Sequence, residues 1–207
     1  MTLKTSKDAA DQVTACILAG GKGSRFDGID KGLLKVSDKY LIEHSLIRIR
    51  PQVKTILISA NRNFDTYRAL EGLVIADSFG NFEGPLAGFL SGLEHSKTPY
   101  LITLPCDAPL FPHDLVCSLM KPIVAGKAQA SVARVAGKLQ PTFSCLTTGS
   151  INSLRRHLNS GERKIFSWLE RLKLKIVDFE NEVEFTNINN PEDLEAASKY
   201  LSNDAKL

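Results

Sequence analysis

The segment Leu18-Ala19-Gly20-Gly21-Lys22-Gly23-Ser24-Arg25, continued by Phe26-Asp27-Gly28-Ile29-Asp30-Lys31-Gly32, combines closely spaced glycines with separated cations. Glycines let main-chain N–H groups approach a phosphate chain, and a concave run of such donors binds anions without any side chain. Arg25 can fork onto phosphate oxygens while Lys31 acts as a point charge, so the loop suits a triphosphate. Its spacing is neither the G-x-x-x-x-G-K-[ST] of a P-loop nor the G-x-G-x-x-G of a dinucleotide site. Standing alone, the segment reads equally well as a surface loop with two solvated cations. A second group is Leu104-Pro105-Cys106-Asp107-Ala108-Pro109. One carboxylate suffices for Mg²⁺ when phosphate oxygens and waters complete the shell, although an Asp between two prolines is more often a turn former. Cys106 has no His close in sequence and reads as a buried small residue rather than a nucleophile.

Both groups need a frame. Val13–Leu18 is a short apolar run stopped by Ala19-Gly20-Gly21, the length and stop signal of a buried parallel strand. Leu41, Ile42, Ser45, Leu46 and Ile49 recur at helical spacing until Pro51, and Thr55–Ser59 reads as the next strand. Further strands are expected at residues 73–76 and 100–104, with a helix at residues 86–93 opened by Gly84-Pro85 and another from Leu115 closed near Pro122. Ala130–Val135 and residues 140–145 flank Gly137 like paired strands. Two helical stripes follow, Ile151, Leu154 and Leu158, then Ile165, Trp168, Leu169 and Leu172. Asn190-Pro191-Glu192-Asp193 opens a last helix with a cap residue, an N1 proline and two acids. This alternation predicts an α/β fold, a single-domain three-layer sandwich around a mostly parallel twisted sheet. Ligands of such sheets bind at the C-terminal ends of the strands, where both chemical groups fall.

With 207 residues, 43% of them hydrophobic, the chain can bury one sizeable core. We expect residues 1–12 to be a flexible N-terminal arm without the features of a secretory signal, and residues 13–207 to be the one domain. A formal net charge of +3 is far from the balance of a protein that coats nucleic acid. The apolar runs are strand-length, so no membrane association is expected. Cys16, Cys106, Cys117 and Cys145 are scattered, which fits reduced thiols in the cytoplasm better than disulfides or zinc.

The run from Leu18 to Leu33 resembles the L-A-G-G-x-x-x-R-M-x-G-x-D-K-G-L signature of the molybdenum cofactor guanylyltransferases, with Phe26 in place of the usual Met. Pro105-Cys106-Asp107-Ala108-Pro109 resembles that family's P-C-D-x-P, and Gly84-Pro85-Leu86-Ala87-Gly88 its G-P-L-A-G turn. The resemblance implies a Rossmann-like nucleotidyltransferase fold and transfer of GMP from GTP to the terminal phosphate of molybdenum-molybdopterin. It further implies that Leu18, Ala19, Gly20 and Gly21 wrap the nucleotide and that Arg25 and Lys31 hold its phosphates. Asp107 would carry Mg²⁺, with Mn²⁺ as the alternative ion. Asn61 and Asp77, each just after an expected strand, would contact the nucleoside. A carboxylate can accept from the amino group of guanine, although Asp77 reads equally well as a helix or turn cap.

On the acceptor side, the resemblance implies that Gln140, Asn187 and Asn189 line the pterin site, where amides offer both donors and an acceptor, although Asn187 and Asn189 also read as residues that only shape the turn. The family pattern N-x-N-T-P-E-D-L has Asn190 here at its Thr position, and both residues cap helices well. Expected partners are GTP, molybdenum-molybdopterin, and the proteins that load the pterin or receive the finished cofactor. The basic residues Arg155, Arg156, Arg163, Lys164, Arg171, Lys173 and Lys175 could steer an anionic cofactor but read mostly as a solvated face. Two rivals remain on the sequence, a cytidylyltransferase of the pterin cofactor or of a sugar-like phosphate, and a nucleotide-binding adaptor without turnover.

Overall fold

Alternating inward residues on β1 (Val13–Leu18) explain the layers: Ala15 and Ile17 join one buried cluster and Cys16 another, on the opposite face of the sheet. The computed structural model describes residues 10–20, 29–36, 38–77 and 84–204. β1 is central, paired in parallel with β4 (Thr55–Ser59) and β6 (Tyr100–Pro105). Outside β4 lies the short β5 (Leu73–Ile75). Beyond β6 come β8 (Lys138–Thr147), β7 (Ala130–Val135) and the edge strand β9 (Leu174–Phe179), giving the order β5-β4-β1-β6-β8-β7-β9. β8 is antiparallel to both its neighbours, while β9 is parallel to β7, so β8 alone runs against the others. A two-residue turn with positive φ at Ala136 and Gly137 joins β7 to β8. Such turns match the twist of the strands they connect.

One face of the sheet is covered by α1 (Leu41–Ile49) and α4 (Leu115–Val124), whose Ile42, Leu46, Ile49, Leu115 and Leu119 complete one cluster. The other is covered by α3 (Pro85–His95), α5 (Ile151–Asn159) and the short α6 (Ile165–Leu169), which contribute Phe89, Leu90, Leu154 and Trp168. Trp168 meets Phe89 edge-on, with ring centroids 6.1 Å apart. Such a pair adds about 0.5–1.5 kcal/mol beyond burial. The final helix α7 (Pro191–Asp204) packs on a separate cluster of Val36, Leu41, Leu110, Ile188, Ala197 and Leu201. That cluster matters for function, because it anchors the loop before α7 beside the turn that carries Lys31.

Several elements depart from expectation. α4 passes through Pro122 and ends at Val124. A proline in the last turn forfeits a single helical hydrogen bond, and the Lys121 carbonyl still accepts from the Ala125 N–H. β9, the two-strand hairpin of β2 (Lys35–Val36) and β3 (Lys39–Tyr40), and α2 (Phe64–Arg68) were not expected. The paired strands around Gly137 are as expected, with β8 two residues longer at each end. All seven residues of the basic run are exposed, and Arg155 is engaged with Glu94 at 2.9 Å.

Candidate active site

β1 ends between β4 and β6, Leu18 pairing with Ser59 on one side and Pro105 on the other. The Ala19 N–H donates to the Ser59 carbonyl at 2.8 Å, and the Cys106 N–H donates to the Leu18 carbonyl at 3.2 Å. These bonds fix the start of the glycine loop between residues after β4 and residues after β6. Gly20 lies against Asn61: a Cβ there would be 3.0 Å from Asn61 Nδ2. Asn61 in turn holds Asp77 reciprocally. Its Nδ2 donates to Asp77 Oδ2 at 2.6 Å, and the Asp77 N–H donates to Asn61 Oδ1 at 3.2 Å. The buried Ser59 Oγ donates to the other carboxylate oxygen, Oδ1, at 3.0 Å. Both oxygens of Asp77 are therefore held in place, and each keeps a further lone pair for a ligand.

The second half of the crevice gathers three segments far apart in sequence. Lys31, on a 3₁₀ turn at Lys31–Leu33, donates from Nζ to Asp107 Oδ2 at 2.9 Å and to Asn189 Oδ1 at 2.7 Å. The Lys31 and Asp107 side chains are 23% and 17% exposed, so the pair is sheltered yet open to a ligand. Asn189 is brought there by its backbone. The Ile188 N–H donates to the Asp107 carbonyl at 2.7 Å, the Asn189 N–H donates to Asp193 Oδ2 at 2.8 Å, and Asn190 Oδ1 caps α7 through the Asp193 N–H at 2.7 Å. Behind Lys31 lies Asp30, its carboxylate almost fully buried, with Arg62 Nε 3.5 Å away and Asn63 Nδ2 donating at 3.4 Å. Asp30 thus ties the Lys31 turn to the loop that carries Asn61.

The structure therefore groups Leu18, Ala19, Gly20, Asn61 and Asp77 in one half of the crevice, and Lys31, Asp107 and Asn189 in the other. Gln140 lies on β8 before Ser144, which pairs with Thr103 of β6. Because the strands are antiparallel, Gln140 falls toward the end of β6 that leads to Asp107. Asn187 is exposed, two residues before Asn189. Gly21 and Arg25 lie outside the described residues.

Residues 15–175 match the model of the MobA-like NTP transferase domain, well over half of the chain. The chain belongs to this family. A molybdenum cofactor guanylyltransferase of Shewanella sp. (strain MR-4) is 41% identical over 182 residues, covering 87% of this chain and 92% of that protein. One of the same name from Cupriavidus taiwanensis is 39% identical over 193 residues, covering 91% and 97%. In three dimensions the chain is similar to the crystal structure of molybdopterin-guanine dinucleotide biosynthesis protein A from Archaeoglobus fulgidus, with a TM-score of 0.74 and 24% identity over 92% of this chain and 99% of that one. That likeness establishes the shared fold.

As a MobA-like NTP transferase the chain is a nucleotidyltransferase, and among the described residues its crevice sets the Lys31 ammonium beside the Asp107 carboxylate, group types that can serve a phosphate and a metal. Among the described residues no group of three or more His, Cys, Asp or Glu could hold a metal unaided. A lone sheltered carboxylate that already carries a cation at 2.9 Å fits an ion whose other ligands are phosphate oxygens and water, as Mg²⁺ prefers. Burial, and next the Asp107 charge, push the Cys106 thiol well above its usual range, so it stays protonated and poorly nucleophilic. Sequence reasoning assigned no role to Ser59 or Asp30. Asp30, directly before the loop lysine, is the fixed Asp of the signature that Leu18 to Leu33 resembles, which was its signal, and Ser59, at the end of an apolar strand, carried none.

Proposed function

We propose that this nucleotidyltransferase takes GTP as donor and transfers GMP to the terminal phosphate of molybdenum-molybdopterin, releasing pyrophosphate. The observation that carries the reading is the meeting of Lys31, Asp107 and Asn189 at the crevice edge, directly beside the loop that follows β1. The shared name of the two bacterial relatives supports guanine as the base and the pterin as the acceptor.

In this reading the main chain of Leu18, Ala19, Gly20 and Gly21 wraps the nucleotide, and Arg25 and Lys31 bind its phosphates. Asp77, oriented by Ser59 and Asn61, accepts from the adjacent N–H donors of guanine, an edge that cytosine and adenine lack. An oxygen of the acceptor's terminal phosphate attacks the α-phosphorus of GTP in line, the bond to the β-phosphate oxygen breaks, and pyrophosphate leaves. No general base is needed, because the attacking oxygen is already ionised. Mg²⁺ held by Asp107, or Mn²⁺ in its place, would supply neutralisation of the charge that develops on the departing phosphates. Gln140, Asn187 and Asn189 face the acceptor, with Asn189 at the border between the two substrates. We place the reaction in the cytoplasm, where the four cysteines, all free in the structure, would stay reduced. Proteins that load the pterin and acceptor molybdoenzymes are the partners that this role implies.

The test is direct. Purified protein is given each of the four nucleoside triphosphates with molybdenum-loaded pterin, with and without a divalent ion, and pyrophosphate release is followed. Release with GTP alone among the four, dependent on both pterin and metal, is the expected result. Equal or faster release with CTP would overturn the choice of base, and no release with any nucleotide would overturn transfer to this acceptor.

A further inference from the structure

The Lys31 ammonium already occupies one of the two oxygens that Asp107 could offer a divalent ion. It lies 2.9 Å from Asp107 Oδ2 and is held from a second direction by Asn189 Oδ1 at 2.7 Å. We propose that Lys31 is the resident counter-ion of Asp107 in the nucleotide-free enzyme, an exchangeable lock that admits a divalent ion only together with a nucleotide. The inference rests on the assignment of the metal to Asp107 made above.

Three observations carry it. Asp107 has a single negative charge, and Lys31 already balances it in a partly sheltered place, where a second cation a few ångström from the ammonium is strongly repelled. Among the described residues, the other carboxylates of the crevice are committed elsewhere: Asp77 is engaged by Ser59 and Asn61, and Asp30 by Arg62 and Asn63. Asn189, finally, is a neutral acceptor fixed by its own main-chain N–H and that of Ile188, so it keeps the ammonium nearby when Asp107 is taken from it. A triphosphate changes all three terms at once. It gives the ammonium new anionic partners, brings oxygen ligands for the ion, and adds the negative charge that the crevice needs. The lock also explains how one carboxylate can avoid collecting stray divalent ions between turnovers.

The experiment is Mn²⁺ binding to the full chain, followed by the loss of free-ion signal in room-temperature electron paramagnetic resonance. It compares the wild type, Lys31→Met, Lys31→Gln, Asp107→Asn and the double variant Lys31→Met with Asp107→Asn, each checked for folding by circular dichroism. Without nucleotide, both Lys31 variants should bind Mn²⁺ at least about tenfold more tightly than the wild type, since a repelling charge has been removed. The double variant should lose that gain. With a non-hydrolysable GTP analogue present, and the signal lost to the analogue alone subtracted, the wild type should bind Mn²⁺ tightly, and Asp107→Asn should remove that protein-dependent part. Folded Lys31 variants that bind Mn²⁺ no more tightly than the wild type would overturn the lock while leaving the metal assignment standing. If instead Asp107→Asn binds Mn²⁺ with the analogue as well as the wild type does, the metal assignment falls and the lock with it.

Discussion

Replacing Gly88 by Ala puts one methyl group where α3 presses on the crevice, and the surroundings decide what it does. The added Cβ would lie 2.7 Å from Leu18 Cδ2 and 2.9 Å from Ser59 Oγ. Real Cβ contacts are longer, so something must move. Leu18 can swing the end of a flexible side chain aside, but Ser59 Oγ cannot retreat without lengthening its bond to Asp77 Oδ1. Overpacking of this kind costs about 1–3 kcal/mol, while Ala in place of Gly in a helix returns about 0.8–1.0 kcal/mol. Stability should therefore fall by roughly 0–2 kcal/mol in a urea titration. Nucleotide affinity should fall as well: displacing Asp77 weakens its own charged hydrogen bond to guanine, worth about 1.5–3 kcal/mol, and losing even the lower figure is about a tenfold rise in Kd. Gly92→Ala on the same helix is the control. Its Cβ would meet Cys16 Sγ at 3.0 Å and Leu101 Cδ2 at 3.1 Å, within the core, and none of its three nearest atoms belongs to Ser59 or Asp77. That variant should lose stability and keep its affinity for GTP, measured by calorimetry. If Gly88→Ala is more stable than the wild type and binds GTP equally well, the reasoning about Ser59 and Asp77 is wrong.

Asp77→Asn should erase the preference for GTP over inosine triphosphate, which lacks the exocyclic amino group. Affinity for GTP should fall at least about tenfold, as expected for a hydrogen bond to a charged group, and a preserved GTP-to-inosine ratio would remove Asp77 from base choice. His157 is fully buried on α5, and burial first, then the positive charge of Arg171, hold it below the ordinary histidine value of 6.5. Above that value both folded and unfolded chains carry a neutral ring. As the pH falls through 6.5 the unfolded chain takes up a proton that the folded chain resists, so stability is lost on the acid side, at up to about 1.4 kcal/mol per pH unit. His44 is shifted in the same direction by burial and adds to the effect. His157→Met should therefore flatten, without abolishing, the difference in urea midpoint between about pH 7.5 and about pH 5.5, and an unchanged difference would refute the assignment.

Local signals explain why so much of the frame was legible. β1, β4 and the centre of β6 are apolar runs flanked by turn residues, and burial on both faces leaves such strands no polar alternation to confuse with a helix. Leu41, Ile42, Leu46 and Ile49 mark α1 by their spacing for the same reason, since one stripe faces the sheet. β9 was hidden because it is an edge strand: Lys175 and Ile176 are both exposed, which breaks the alternation that identifies a half-buried strand. In the crevice, the glycine loop, Lys31 and Asp107 announced themselves as residue types next to strand ends. The contact between Lys31 and Asn189 could not do so. It spans 158 residues and depends on α7 docking on Leu41 and Leu110, a tertiary event that no local pattern encodes. Ser59 was invisible for a related reason, because a serine at a strand end becomes a positioning group only once β5 brings Asp77 alongside it.

The central claim is that a triphosphate is activated on a metal held by Asp107, next to Lys31. Asp107→Asn keeps the shape and removes the charge, so the measurement is pyrophosphate release by that variant at saturating GTP, pterin and Mg²⁺, with its urea midpoint taken in parallel. Turnover should fall by about 10²–10³ or more, the scale for losing one group that stabilises transition-state charge, while the midpoint stays close to that of the wild type. Turnover at the wild-type rate with the metal still required would contradict the claim.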